Sequence, residues 1–287
     1  MKTGVAFVAL LLLAASPQPA ALAADAGTLD RTLTRLARVA ELYRDNALGF
    51  ACEETIAYSG AESGQVRFAY LFIRDEHAKL RDFRTWKSGT KGEEVDPRDY
   101  RVPRFLESAY LWAFIFRSDR QPLYRFEPQA DETAGDRPIV VIRFVPRAPI
   151  RKGINDWAGF ARIDRETSQI LSVEAYTPED WNRLLARDAD AASAGKRDPH
   201  EGAKTYDVER IVTEFGFDKN GMRFPSHVEI VKTRSKVVPG ATHDVLKSST
   251  VRRVTQDYTK FEFFSVRSSE EITRFVNGDG TLPDASR

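Results

Sequence analysis

Hydrophobic residues recur along this chain at two different periods, and the change of period divides it into elements. Leu29, Leu33, Leu36, Ala40 and Tyr43 follow helical spacing with charged residues between them, which predicts an amphipathic helix of about four turns. From residue 50 the period drops to two. Residues 50–58 and 65–74 read as strands joined by a Ser-Gly-rich turn, and residues 80–86 as a third strand. In the second strand Val66, Phe68, Tyr70 and Phe72 share one face, and Arg67, Ala69, Leu71 and Ile73 the other.

Residues 139–145 form a β-branched run bounded by Pro138 and Pro146. Residues 160–164 and 170–176 predict a hairpin with Ala161, Ile163, Leu171, Val173 and Ala175 on its apolar face. Thr177-Pro178-Glu179-Asp180 has the composition of a helix start, with Trp181, Leu184 and Leu185 behind it and Gly195 as a stop. Residues 205–217, 222–238 and 247–266 each read as a long strand, with a turn at residues 218–221.

One stretch has no clear period. In residues 105–116 only Glu107 and Ser108 are polar, too short a run for the ~20 residues of a membrane span. Pro103 suits a helix first turn, and Phe105, Ala109, Trp112 and Phe116 then share a face, while Leu111 and Ile115 make the opposite face apolar too. A buried plug or lid over a sheet meets that need. Long antiparallel strands with few helices predict a mainly β, α+β fold: a large curved antiparallel sheet forming a half-open barrel, with helices covering the concave side.

The first residues belong to a different class of segment. Lys2 precedes a continuous apolar run at residues 5–15, and Ala21-Leu22-Ala23 has the small-x-small pattern of a signal-peptidase site. The expected organisation is a signal peptide over residues 1–23, one domain over 24–270 and a flexible tail over 271–287, with a periplasmic or secreted address. No cysteine follows the site to make a lipoprotein. Removing residues 1–23 takes away Lys2 and no acid, leaving 42 basic and 42 acidic side chains. That balance gives no electrostatic case for nucleic acid or for anionic membrane surfaces. Cys52 is the sole cysteine and sits in a strand-like run, where a buried, inert thiol is expected.

Catalytic patterns are missing. His77, His200, His227 and His243 form no H-x-x-x-H or H-x-H pair, so no metal and no cofactor is predicted. There is no G-x-S-x-G elbow, phosphate loop or dinucleotide fingerprint. Glu53 and Glu54 are adjacent and point to opposite strand faces, so they make no acid–base pair.

Two stretches carry a resemblance. "GFARIDRETSQILSVEAY", from Gly159, has an Ile163-Asp164 pair ending a strand, Thr167 in the turn and Ile170 opening the next strand. "KNGMRFPSHVEIVKT", from Lys219, has Gly221 and Phe224-Pro225 before an alternating strand. Both resemble turns of the periplasmic lipoprotein-carrier and outer-membrane lipoprotein-sorting (LolA/LolB-like) superfamily. The chain departs from its smaller carriers at residues 178–203 and at its "DYTKFEFF" end. The resemblance implies a half-open barrel whose concave face binds acyl chains.

The expected function is therefore an exported, non-enzymatic protein that binds or transfers a lipid or lipidated protein in an apolar cavity. Phe68, Tyr70, Phe72, Trp112, Phe116, Ile142 and Phe144 are the candidate lining. That cavity must be filled by the protein's own helices or by a ligand. An envelope sensor that docks another protein on the same fold, and a secreted hydrolase without a recognisable motif, are the alternatives.

Overall fold

The computed structural model describes residues 19–45, 49–74, 80–86, 94–147, 156–192, 202–238 and 245–264. Residues 1–18 of the expected signal peptide and the tail lie outside them, as do Gly195 and three of the four histidines. The expected cleavage point after Ala23 falls inside the first helix. No helix among the described residues is long and apolar enough to cross a membrane.

Helix α1 (Pro19–Asp45) opens the described chain. Strands β1 (Phe50–Ser59), β2 (Gly64–Arg74) and β3 (Leu80–Trp86) follow as an antiparallel meander. After a crossing segment come β4 (Tyr124–Pro128), β5 (Glu132–Ala134), β6 (Arg137–Pro146), β7 (Ala158–Asp164) and β8 (Ile170–Tyr176). Helix α2 (Pro178–Ala192) leads to β9 (Lys204–Glu214). The short pair β10 (Phe217–Lys219) and β11 (Met222–Phe224) precedes β12 (His227–Val238) and β13 (Val245–Phe263).

Every strand pair among the described residues is antiparallel, in the order β3-β2-β1-β13-β12-β9-β8-β7-β6-β4, with β5 also on β6. The mainly β composition and the large antiparallel sheet follow the sequence pattern. The half-open barrel does not. The sheet is open, with β3 and β4 as separate edges, and is not closed into a barrel. The reason is packing. The apolar row that was expected to demand closure is covered by α1 and by residues 105–116, so no edge-to-edge pairing is needed to bury it.

That row is one continuous core. Leu36, Val39, Leu42 and Tyr43 of α1 meet Phe50, Ile56, Phe68 and Phe72 from β1 and β2, and Ile142, Phe144, Ile163 and Val173 from β6 to β8. At one end Phe217 of β10 stacks on Phe261 of β13 with centroids 4.3 Å apart, next to Phe50, Phe224 and Phe263. The other sheet face carries a smaller cluster under α2, where Trp181 packs on Phe160 and Tyr176. Helix α2 starts as the sequence indicates. The Asp180 amide donates to Thr177 Oγ1 (3.1 Å) and the Thr177 hydroxyl donates to Asp180 Oδ2 (2.8 Å).

Two long strands of the sequence reading are broken. The run at 205–217 ends at Glu214, and 222–238 divides at Phe224-Pro225, because proline cannot continue the ladder. Gly159 explains the tight β7–β8 pairing: a Cβ there would fall 1.9 Å from the Glu174 carbonyl oxygen. Gly159→Ala is expected to destabilise the protein by about 1–3 kcal/mol, since two backbones must part. Urea unfolding measures this, and an unchanged midpoint would disprove the close approach.

Candidate functional site

The site is built by the segment that crosses the apolar face. Residues 105–108 are irregular, and Ala109–Phe116 forms a 3₁₀ helix rather than the expected α-helix. Tethers from the sheet explain the tighter winding. Gln256 of β13 brackets Leu106, accepting from its amide (2.6 Å) and donating to its carbonyl (3.0 Å). Arg84 of β3 donates to the Glu107 carbonyl (3.0 Å), and the Ser108 hydroxyl donates to Asp82 (3.2 Å). Further on, Trp112 Nε1 donates to Thr213 Oγ1 of β9 (2.7 Å). The segment is a strap tethered to the sheet at residues 106–108 and again at Trp112, with little room for the wider α-helical turn.

Beneath the strap lies a buried ionic network. Arg84 grips Glu54 through two hydrogen bonds, of 2.6 and 3.0 Å, and also bonds Asp82 at 3.0 Å. Gln256 donates to Glu54 (2.9 Å) and to the Tyr258 hydroxyl (3.1 Å). The guanidinium carbon lies 5.0 Å from the Tyr70 ring centroid and 5.3 Å from that of Phe105. Burial pushes the Asp82 carboxyl up against the opposing pull of Arg84, and raises the Tyr70 and Tyr258 hydroxyls well above their ordinary range. Cys52, buried nearby, has its thiol raised by burial and by Glu54, consistent with an unreactive thiol.

Along the outer side of the strap runs a cleft of about 540 Å³. Leu111, Phe114 and Ile115 form its strap wall, with Trp112 and Trp157 behind them. The two indoles meet edge-on at 5.1 Å. Leu111 is 47% exposed, so the strap is not buried all round as its sequence suggested. Arginines stand at both ends. Arg104 bonds Glu209 (3.0 Å) and Arg117 bonds Asp119 (2.8 Å). The third, Arg120, has no hydrogen-bond partner on its buried Nε, and neither the Tyr124 hydroxyl nor Asp156 Oδ1 has one. Burial raises both the Tyr124 hydroxyl and the Asp156 carboxyl, with Arg120 opposing each. Arg120 thus lines the cleft, with the buried Tyr124 and Asp156 grouped around its charge behind the cleft wall.

The sequence-predicted lining residues are brought together, but mostly out of reach of solvent. Phe68, Tyr70, Phe72, Phe116, Ile142 and Phe144 all lie in the main core, and Phe72 packs on Tyr110 of the strap with centroids 3.8 Å apart. Trp112 alone among them borders the cleft. Sequence reasoning missed Trp157, Arg120 and the Glu54–Arg84–Gln256 network. Only the apolar opposite side of the strap, with Leu111 and Ile115, pointed to the cleft.

No group of three or more His, Cys, Asp or Glu able to hold a metal occurs among the described residues. His227 Nδ1 lies 2.6 Å from Asp257 Oδ1 on neighbouring strands, and the pair lines neither that cleft nor the polar one around Asp82 and Arg98. The adjacent Ser226 hydroxyl is engaged by the Gly216 amide (3.0 Å) and the Glu214 carbonyl (3.3 Å).

No family model matches the chain, and no curated protein does. Among solved structures it is similar to a LolA superfamily protein from Nitrosomonas europaea, at 10% identity, with a TM-score of 0.37, over 81% of this chain and 92% of that one. It is similar to an outer membrane lipoprotein-sorting protein domain from Vibrio parahaemolyticus (10%, TM-score 0.39, 85% and 97%). A DUF1329 family protein from Desulfovibrio piger gives 9% identity and a TM-score of 0.41 over 84% and 96%.

Proposed function

We propose that this chain is an exported, non-catalytic binding protein that holds one acyl chain, free or attached to a protein, in the cleft along the strap. The observation that supports the reading best is the cleft itself. Its wall of Leu111, Phe114 and Ile115 is apolar, and the cationic side chains of Arg104, Arg117 and Arg120 also line it. An acyl chain with a polar head matches both features. The volume of about 540 Å³ falls in the ~300–1,000 Å³ range of small-molecule pockets. Each CH₂ buried there contributes ~0.8 kcal/mol without needing a specific contact. On this reading Phe68, Tyr70, Phe72, Ile142 and Phe144 act as a floor that keeps the strap in place, and Phe116 is the strap's own anchor in that core.

The test is uptake of a fluorescent palmitate analogue by protein purified without detergent. Leu111→Asp is expected to weaken uptake by about ten-fold or more, because a charge replaces apolar wall. Its thermal midpoint should stay near that of the parent, since the side chain is half exposed. No uptake by the parent protein, or equal uptake by the variant, would overturn the proposal.

A further inference from the structure

Strand β13 extends past its neighbour β1. β13 pairs with β12 as far as Val238↔Val245, but its other neighbour, β1, stops at Ser59↔Arg253. Gly60 caps that limit: it sits at φ 153, and a Cβ there would come 2.9 Å from the Val251 carbonyl oxygen. Among the described residues, 245–250 therefore have a strand partner on one side only, and all of them are exposed. Val245 and Leu246 are among the exposed large apolar side chains of the molecule. A row of unpaired N–H and C=O groups of this kind is a template for another chain. The register shift in this hairpin, from Lys232↔Arg252 to Thr233↔Thr250, leaves Val251 of β13 as the extra residue; it adjoins residues 245–250, whose own pairing with β12 runs unbroken.

The charge around the edge selects the partner. Lys236 and Lys247 are direct cross-strand partners, and neither has an ion-pair partner among the described residues. Like charges placed opposite each other cost stability. On the same side of β12, Lys232 and Arg234 share one acid, Asp207. The hairpin end is thus net positive beside a free backbone edge.

We infer that residues 245–250 are a docking edge for an extended, acidic segment of a partner protein. The segment adds as a further strand beside β13, over roughly 20 Å at ~3.3 Å per residue. Its carboxylates lie next to Lys247 and within reach of Lys236. A second copy of this chain fits poorly, because edge-to-edge pairing brings the two Lys247 side chains toward one another. An anionic lipid surface answers the charge but leaves the backbone groups unpaired. This surface is distinct from the strap cleft and does not depend on acyl binding.

Hydrogen exchange on the whole protein tests it, with an alternating Glu–Val octapeptide as the probe. At ~10 times Kd the peptide is expected to slow exchange at residues 245–250 by ~10-fold. A Lys–Val octapeptide should give no protection, and the K236E/K247E double variant should reverse the preference, with both positions exposed and so compatible with folding. Protection centred elsewhere, or equal binding of a Glu–Val peptide N-methylated at every residue, would overturn strand addition. Unchanged binding by the double variant would overturn the role of charge. Protection by phosphatidylglycerol vesicles where the peptide gives none would assign the surface to lipid instead. Protection by self-association, seen as a dimer in size-exclusion chromatography, would assign it to a second copy.

Discussion

Replacing Arg84 by methionine is expected to destabilise the fold by about 3–5 kcal/mol, the cost of stranding a buried charge. Glu54 is fully buried and the Arg84 side chain is 6% exposed, so neither can turn to water. The guanidinium also holds Asp82 and the Glu107 carbonyl, and removing it leaves acceptors in the interior without their donor. For a chain of this size the loss corresponds to a fall in thermal midpoint of roughly 6–20 °C. Salt should change the deficit little, because buried pairs are poorly screened.

The deficit has a signed pH dependence. Asp82 already has its carboxyl raised by burial, with Arg84 as the main opposing influence. A carboxyl raised in the fold takes up its proton at higher pH there than in the unfolded chain. Its protonation therefore favours the fold as pH falls through the raised value, and the gain is complete below the unfolded value. Without Arg84 that raising grows, so the deficit of Arg84→Met should shrink on going from neutral to mildly acidic pH. The double variant Glu54→Leu/Arg84→Met should lose less than Arg84→Met, since both charges leave together. Denaturant unfolding at two pH values measures all three. A deficit below ~1 kcal/mol, or one that grows on acidification, would refute a buried network that fixes the strap.

How far the fold was legible depends on which interactions decide each part. The row Val66, Phe68, Tyr70 and Phe72 declares a strand face by period alone, and β2 buries its last three members as that period requires. The Thr177–Asp180 cap is equally local, and it forms. Closure of the sheet is not a local property. It turns on whether β3 meets β4, and β4 is only five residues long, alternating Tyr124-Arg125-Phe126-Glu127 before Pro128 ends it, while β5 has no apolar alternation at all. The strap is apolar at nearly every position and so carries no period. Its winding is set by Gln256, Arg84 and Thr213, which are distant in sequence. Arg84 itself looks like any other strand arginine. Only the fold shows that its row, with Asp82, faces the strap while Arg67 faces solvent.

Trp112 is where stability and the proposed binding meet, and Trp112→Ala is expected to cost about 3–5 kcal/mol. The indole is buried, donates to Thr213, and forms the rear wall of the cleft against Trp157. Removing it leaves a void beneath the strap and deprives the Thr213 hydroxyl of its donor. Trp112→Phe keeps most of the volume and should cost less, about 1–3 kcal/mol, chiefly from the lost hydrogen bond. The pair separates two roles that one substitution would confound. If the strap wall, rather than the core, contacts the acyl chain, Trp112→Phe should retain palmitate uptake within a few-fold while losing stability. Leu111→Asp should do the reverse. Equal losses of uptake and stability in Trp112→Phe would place the acyl chain against the indole, deeper than the open wall. Trp112→Ala losing under ~1 kcal/mol would show that the strap is not anchored at β9, and the cleft it forms would then have no fixed shape.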